Sequence, residues 1–328
     1  KPQELTKESE YIERNIQFTR EAFGLGDVEE RDHAFTGTGI TSDILNNNTD
    51  TIDNIRLWDH RPLRDTLNQI QFFRPYYEFS DVDVDRYDID GRTRQVMLSA
   101  RELTPEKLDP TAQRWVNQKL QYTHGYGATM SPVTEFTHDG RPTFFLKDIP
   151  PTSTVSQESD VGLEGTGSQI YYGERTSDYV IVDTNQEEFD YPTETGIGKS
   201  TTYAGSGGVE VGSFLRKLVY SWEFRDVNIL ISSELTSDSQ IQYRREIQER
   251  ISTVAPFLHL DEDPYLVDVG GKLWWMQDAY TSSDLYPYSE PYEDEASSFN
   301  YIRNSVKIVI DAYEGDVDFY MMDPEDPI

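Results

Sequence analysis

Residues 85–103, DRYDIDGRTRQVMLSAREL, decide the fold class. Asp90-Gly91 supplies the two left-handed backbone conformations of a tight turn, and the β-prone runs on either side predict an antiparallel hairpin. The same device recurs at Asp139-Gly140 in TEFTHDGRPTFFLKDI (134–149), at Gly270-Gly271 in PYLVDVGGKLWWMQDAY (264–280) and at Glu314-Gly315-Asp316 in NSVKIVIDAYEGDVDFYMM (304–322). Helical periodicity falls between the hairpins without a strand-helix-strand rhythm. The expected class is therefore α+β, with antiparallel hairpins and sheet packed against several amphipathic helices.

The first helix is expected over 4–23, packed by a stripe of Ile12, Ile16 and Phe23. Others are expected after Pro62 (PLRDTLNQIQFF) and through TAQRWVNQKLQY (111–122). GSFLRKLVYSW (212–222) should turn Phe214, Leu215, Leu218, Val219 and Trp222 to the core. SQIQYRREIQERISTV (239–254) should align Tyr243, Ile247, Ile251 and Val254. Residues 150–168, PPTSTVSQESDVGLEGTGS, have hardly any large apolar side chains and read as a loop or linker. The expected organisation is an N-terminal α+β half (1–149), a linker (150–169) and a C-terminal α+β half (170–328), with room for one sheet shared between the halves.

Composition narrows the function. The chain has 328 residues, 60 acidic against 29 basic, for a formal net charge of −31. That field repels a nucleic-acid backbone or an anionic membrane, so no nucleic-acid partner is expected. There is no cysteine, which excludes disulfides, thiolate zinc sites and cysteine nucleophiles. No run approaches the roughly 20 apolar residues that cross a bilayer, so these residues are expected to be soluble as they stand. The opening KPQELTKESEYI lacks the layout of a signal peptide. It begins with Lys1, and the chain ends in DPEDPI straight after a strand-like run, as a piece of a longer protein would.

TTYAGSGGVEVGSFLRKLVY (201–220) has the outline of a phosphate-binding loop, with Ser206 and Gly207 as candidate ligand-binding residues. A mononucleotide loop, however, needs Lys followed by Ser or Thr after its glycines, and here Gly212 is followed by Ser213-Phe214. No nucleotide is expected. The glycines serve a tight turn, and the free amides of the helix start bind some anion or are capped by Ser206 or Ser213.

DVDVDRYDIDG (81–91) sets Asp81, Asp83 and Asp85 at alternate positions, hence on one face of an extended chain, where three carboxylates would suit Ca2+. The EF-hand pattern fails, because its sixth and twelfth positions are Arg86 and Arg92. A charged strand edge guarding against aggregation is the plainer reading, and beyond Ca2+ no cofactor is expected. Asp261, Glu262, Asp263 and EPYEDE (290–295) are further acidic clusters. Of the histidines, His33, His60, His124, His138 and His259, none stands in an HExxH or His-x-His pattern. His60 beside Asp59 reads as a structural residue, while His124 and Tyr126 lie in a glycine-hinged loop, THGYGATMSP, where a ligand could dock. No G-x-S-x-G elbow is present. Tyrosines crowd into YPYSEPY (286–292), either as anchors for a glycan or partner or as a seal for a surface loop.

Several long blocks, in order, carry a resemblance: NIRLWDHRPLRDTLNQIQFFRPYYEFSDVDVDRY, LQYTHGYGATMSPV, YYGE, TTYAGSGGVEVGSFLRKLVY, FRDVNILISSELTSDSQIQYRR, APFLHLDEDPYLV and NYIRNSVKIVIDAYEGDVDFY. Together they resemble the UPF0182 family of prokaryotic membrane proteins. The resemblance implies a multi-pass protein in which a bundle of transmembrane helices precedes a large extracytoplasmic domain, and this chain resembles the first part of that domain. Its implied partners are the membrane helices of the same full-length chain, then other envelope proteins or glycans. The family carries no established activity, so no residue role is transferred. Two functions are expected from this: a non-catalytic binding, sensing or scaffolding module, or an envelope enzyme acting on lipid or glycan. The enzyme would need a carboxylate and a histidine brought together from blocks such as 58–61, 122–126 and 261–263.

Overall fold

The computed structural model describes residues 3–22, 24–30, 39–71, 73–156, 158–163, 167–193, 198–293 and 298–328. They form two compact units, Lys1–Thr49 and Asp50–Ile328. In the first, Glu4–Ala22 is a helix with Glu4 in its first turn and Arg20 in its last, each charge opposing the helix dipole. Ile12 and Ile16 stay 42% and 50% exposed, contrary to the packed stripe expected of them. No described residue of this unit is buried, so there is no core for the stripe to enter. Phe23 and His33 lie outside the described residues.

The second unit is α+β and, apart from an isolated parallel bridge between Gly173 and Glu246, antiparallel in its described pairings. The opening hairpin pairs Asp83–Ile89 with Arg92–Ala100, turning at Asp90 and Gly91 with φ of 53° and 74°. Ala128–Pro132, Leu146–Lys147 and Thr152–Ser153 extend this sheet to five strands. A second five-stranded sheet is centred on Lys272–Ser283 and Tyr301–Asp311, with Tyr265–Val269, His259–Leu260 and Val317–Met321 beside them. The turns at Gly270-Gly271 and near Gly315 are formed as expected. At Asp139-Gly140 only the single bridge Phe136–Pro142 forms, because Pro142 lacks the N–H that a longer ladder requires.

Alternation places the core. Val96, Leu98 and Ala100 point into a cluster shared with Leu266, Leu273, Trp275, Ile308 and Ile310 of the second sheet. Met97 points the other way, onto Leu63 and Leu67 of the helix His60–Ile70. Residues from both expected halves thus share one core, and Val161 and Leu163 of the stretch 150–168 are buried in it. Burying a side chain of leucine size contributes about 1.5–3 kcal/mol.

Three helix expectations change. TAQRWVNQKLQY yields only one widened turn, Asn117–Gln121. In 239–254 the helix begins at Ile247, because Gln240–Gln242 pairs as a strand, Arg244 takes φ of 49° and Glu246 caps the helix with its side chain. Ile247 and Ile251 are buried, while Val254 is exposed. The helix Phe214–Glu223 forms behind its cap Ser213, but Phe214, Leu215, Leu218, Val219 and Trp222 face solvent, Trp222 being 85% exposed. Tyr220 and Phe224 pack inward instead, within an aromatic cluster with Tyr179 and Tyr243 that fixes the rotation of the helix. Among the described residues no helix is long and apolar enough to cross a membrane.

Candidate metal centre

Asp83 begins the strand at the edge of the first sheet, and its Oδ2 accepts the N–H of Leu266 at 2.9 Å. That bond ties the edge to the segment entering the second sheet and brings Asp263 alongside. Asp81, Asp83 and Asp263 each offer one oxygen within 4.8 Å of the others. Asp85 lines the same cavity but does not belong to this group. Strand geometry explains the exchange: alternate residues are about 6.6 Å apart, so three in a row make a line, and a cage needs a ligand from another segment.

The cavity, of about 460 Å³, is also lined by His60, Arg56 and Arg86. Its electrostatics are those of crowded like charges. Burial pushes Asp83 well above the usual carboxylate range, with Asp81, Asp263 and Asp85 adding to the rise and the Leu266 amide opposing it. Glu174 is pushed up to about 9, by burial and then by Glu102, Asp83, Asp81 and Asp263. Glu102 is raised chiefly by burial, although Ser80 and the Arg175 amide hydrogen-bond to it. Asp263 is raised by lost hydration and by Asp81, while His60 acts in the opposite sense. A dication among Asp81, Asp83 and Asp263 would relieve the shared repulsion that raises Asp83, Asp263 and Glu174.

His60 opens its helix, and Asp59 caps that helix by accepting the Arg61 N–H at 3.0 Å. Nδ1 of His60 lies 4.0 Å from the Asp59 carboxylate, so Asp59 serves the helix while His60 faces the cavity. Of the distant blocks, 58–61 and 261–263 therefore meet here.

His124 meets carboxylates more closely, with Nδ1 3.5 Å from Glu188 and Nε2 3.5 Å from Asp190. Its side chain is completely buried, and Thr123 hydrogen-bonds both to Nδ1 and to Glu188. Burial alone would lower its pKa, but the hydrogen bonds and charges of Asp190 and Glu188 raise it. The two carboxylates sit at opposite ring nitrogens, an arrangement suited to holding an imidazolium and not to chelating one ion. Tyr126 is likewise buried, in a cluster with Tyr76, Tyr77 and Leu103. The glycine-hinged loop is thus a core element.

The amides of 201–220 do hold an anion, and it belongs to the protein. Glu314 Oε2 accepts from Ser206 N at 2.7 Å, Gly207 N at 2.8 Å and the Tyr203 hydroxyl at 3.0 Å. Gly207 is required by close approach, since a Cβ there would lie 2.1 Å from the Glu314 carbonyl oxygen; the positive φ, 104°, belongs to Gly208. Glu314, Glu174, Glu188 and Asp190 all escaped the sequence reading. None of them stands in a ligand-binding or catalytic spacing, and only Glu314 stood in a segment already marked as a turn.

The model of the uncharacterised protein family UPF0182 matches residues 1–328. A UPF0182 protein of Pelotomaculum thermopropionicum is 50% identical over 328 residues, covering all of this chain and 35% of that protein. UPF0182 proteins of Desulforamulus reducens and Trichodesmium erythraeum are 46% and 47% identical, with 34% and 36% of their lengths covered. The chain spans about a third of the length of these curated relatives. No solved structure matches it.

Proposed function

We propose that this chain, which belongs to the UPF0182 family, is a cation-binding module of a larger protein, located on the extracytoplasmic side of the membrane. In this reading Asp81, Asp83 and Asp263 hold Ca2+, and the ion clamps the edge of the first sheet to the strand that begins at Tyr265. The observation that supports it is the convergence of three carboxylate oxygens from two segments within 4.8 Å, beside a glutamate pushed up to about 9. All-oxygen donors of this kind suit a hard dication. The role is non-catalytic: it orders a surface through which the module binds, senses or scaffolds, with the remainder of the full-length protein as its first partner.

Melting in Ca2+ and in NaCl of matched ionic strength tests this. At a free Ca2+ concentration of about 100 times Kd, stabilisation is about 2.7 kcal/mol, a rise of roughly 4–5 °C for a unit of this size. An Asp81→Asn/Asp263→Asn variant should lose the increment, with Asp83 left in place because it anchors Leu266. Equal effects of Na+ and Ca2+ would reduce the cluster to a screened acidic surface. A second reading, an envelope enzyme with His60 and Asp263 as its histidine and carboxylate, is supported by their sharing one cavity; it predicts hydrolysis of an envelope lipid or glycan that His60→Ala abolishes.

A further inference from the structure

We infer that the second sheet is completed in the full-length protein by an added β-strand, which pairs with the edge strand Val317–Met321 and fills the apolar groove beside it. The strand comes from the part of the same protein that lies outside residues 1–328. The inference rests on the partner named in the reading above and is independent of the ion. Backbone geometry shows the open edge. Met322 N donates to the carbonyl of Ser305 at 2.7 Å and Asp311 N to that of Asp316 at 3.0 Å, two pairs in the same register as Lys307 with Tyr320 and Val309 with Asp318. Antiparallel pairs alternate between hydrogen-bonded and non-bonded, so the backbone groups of Asp318 and Tyr320 face Tyr301–Asp311, while those of Phe319 and Met321 point away from the sheet. Among the described residues no acceptor meets the N–H of Phe319 or Met321. The opposite edge is treated otherwise: in Tyr265–Val269 the outward N–H of Leu266 is taken by Asp83 at 2.9 Å and that of Asp268 by the Tyr87 hydroxyl at 2.8 Å. One edge is closed by side chains of the first sheet, and the other offers the donors and acceptors that an incoming strand uses.

The side chains agree. Phe319 and Met321 lie opposite Ile308 and Val306 and share their face of the sheet. Ile308 and Ile310 are completely buried in the main core, whereas on the neighbouring strand Phe319 is 40% and Met321 73% exposed. The core face of the sheet thus runs out from under its cover toward this edge. There Val254, Phe257, Leu258, Val306, Phe319 and Met321 line a mostly apolar groove of about 450 Å³. A strand paired with Val317–Met321 sends every second side chain to that face, so one element satisfies both the free backbone groups and the uncovered apolar surface. Residues 1–328 span about a third of the curated relatives, and about two thirds of a protein of that length lies outside them. A strand on the same polypeptide docks at an effective concentration set by its tether. A second copy lacks that advantage and meets the repulsion between two chains of net charge −31.

Amide hydrogen exchange in the full-length protein, resolved to single residues and run in chelator, tests the pairing without any substitution. With an added strand, protection at Phe319 and Met321 should lie within about tenfold of that at Asp318 and Tyr320, whereas an open edge gives a two-residue alternation with the outward pair faster by about a hundredfold or more. A photo-crosslinker identifies the occupant. Met321→p-benzoylphenylalanine in the full-length protein, at a side chain that is 73% exposed, should cross-link to a segment outside residues 1–328 and leave the protein at monomer mass on a denaturing gel. Alternating exchange overturns the inference, and so does a cross-link to a second copy, to a different protein or to nothing. Because every arm is run without Ca2+, these outcomes leave the cation reading to its own melting test.

Discussion

Replacing Glu314 with alanine tests whether the glycine loop is held by the protein's own carboxylate. The substitution removes the acceptor of Ser206 N, Gly207 N and the Tyr203 hydroxyl, at 2.7, 2.8 and 3.0 Å. Hydrogen bonds to a charged acceptor contribute about 1.5–3 kcal/mol each when dry. Two features reduce the sum: Ser206 is reached by water, and Gly207 N keeps the Tyr203 hydroxyl at 2.9 Å. A net loss of about 2–3 kcal/mol remains. Unfolding entropy of about 2.1 cal/mol/K per residue converts this to a fall of roughly 3–5 °C for the unit Asp50–Ile328. Glu314→Gln, which keeps an acceptor oxygen without its charge, should lose about half as much. The liberated amides then form an anion-binding concavity, so sulfate should restore part of the lost stability in Glu314→Ala, beyond its general salt effect on the parent chain. Calorimetric melts with chelator present read both quantities. An alanine variant melting within a degree of the parent, or equal sulfate responses, would refute the reasoning.

His124→Gln should show the charge of the buried imidazole. A folded pKa raised by Asp190 and Glu188 means stabilisation fully present below the unfolded value of about 6.5 and lost as pH rises through the folded value. Tyr171 and Arg245, the other ionisable neighbours, do not titrate in that window. Urea melts from about pH 5.5 to 8.5 should therefore find the gap between parent and variant narrowing, by at most about 1.4 kcal/mol per unit; a constant or widening gap counts against the charged pairing. Gly207→Ala should cost more than about 2 kcal/mol, since its Cβ meets backbone at 2.1 Å, whereas Gly39→Ala, with nothing within 4 Å, should stay within about 0.5 kcal/mol. Joint replacement of Phe214, Leu218 and Trp222 by glutamine should leave the melting temperature within about 2 °C, because all three are exposed; unfolding of that variant would show that the face is core.

Features governed by neighbours in sequence were legible before the fold was known. Asp90-Gly91 and Gly270-Gly271 turn where they should because a two-residue hairpin loop demands positive φ, a requirement local to those residues. Capping by Ser213 is local in the same way. The rotation of the helix it caps is not, for Phe214, Leu218 and Trp222 form as good an apolar stripe as any buried one. Tyr220 and Phe224 face inward because Tyr179 and Tyr243 stand there, and periodicity carries no information about which face finds such partners.

The two charged sites divide along the same line. Asp81 and Asp83 could be paired as one-face carboxylates from spacing alone, but spacing also offered Asp85, and strand rise rules Asp85 out of a cage that the fold closes with Asp263. The glycine loop likewise advertised amides in want of an anion, and Glu314, more than a hundred residues further along the chain, was invisible as the answer. In both places sequence revealed half of an electrostatic problem, a surplus of carboxylates or of donors. Folding solves the second internally, with a carboxylate set against the donors. At the first it sets a third carboxylate against two, which heightens the surplus, and the cation proposed above would be the physical complement of that surplus.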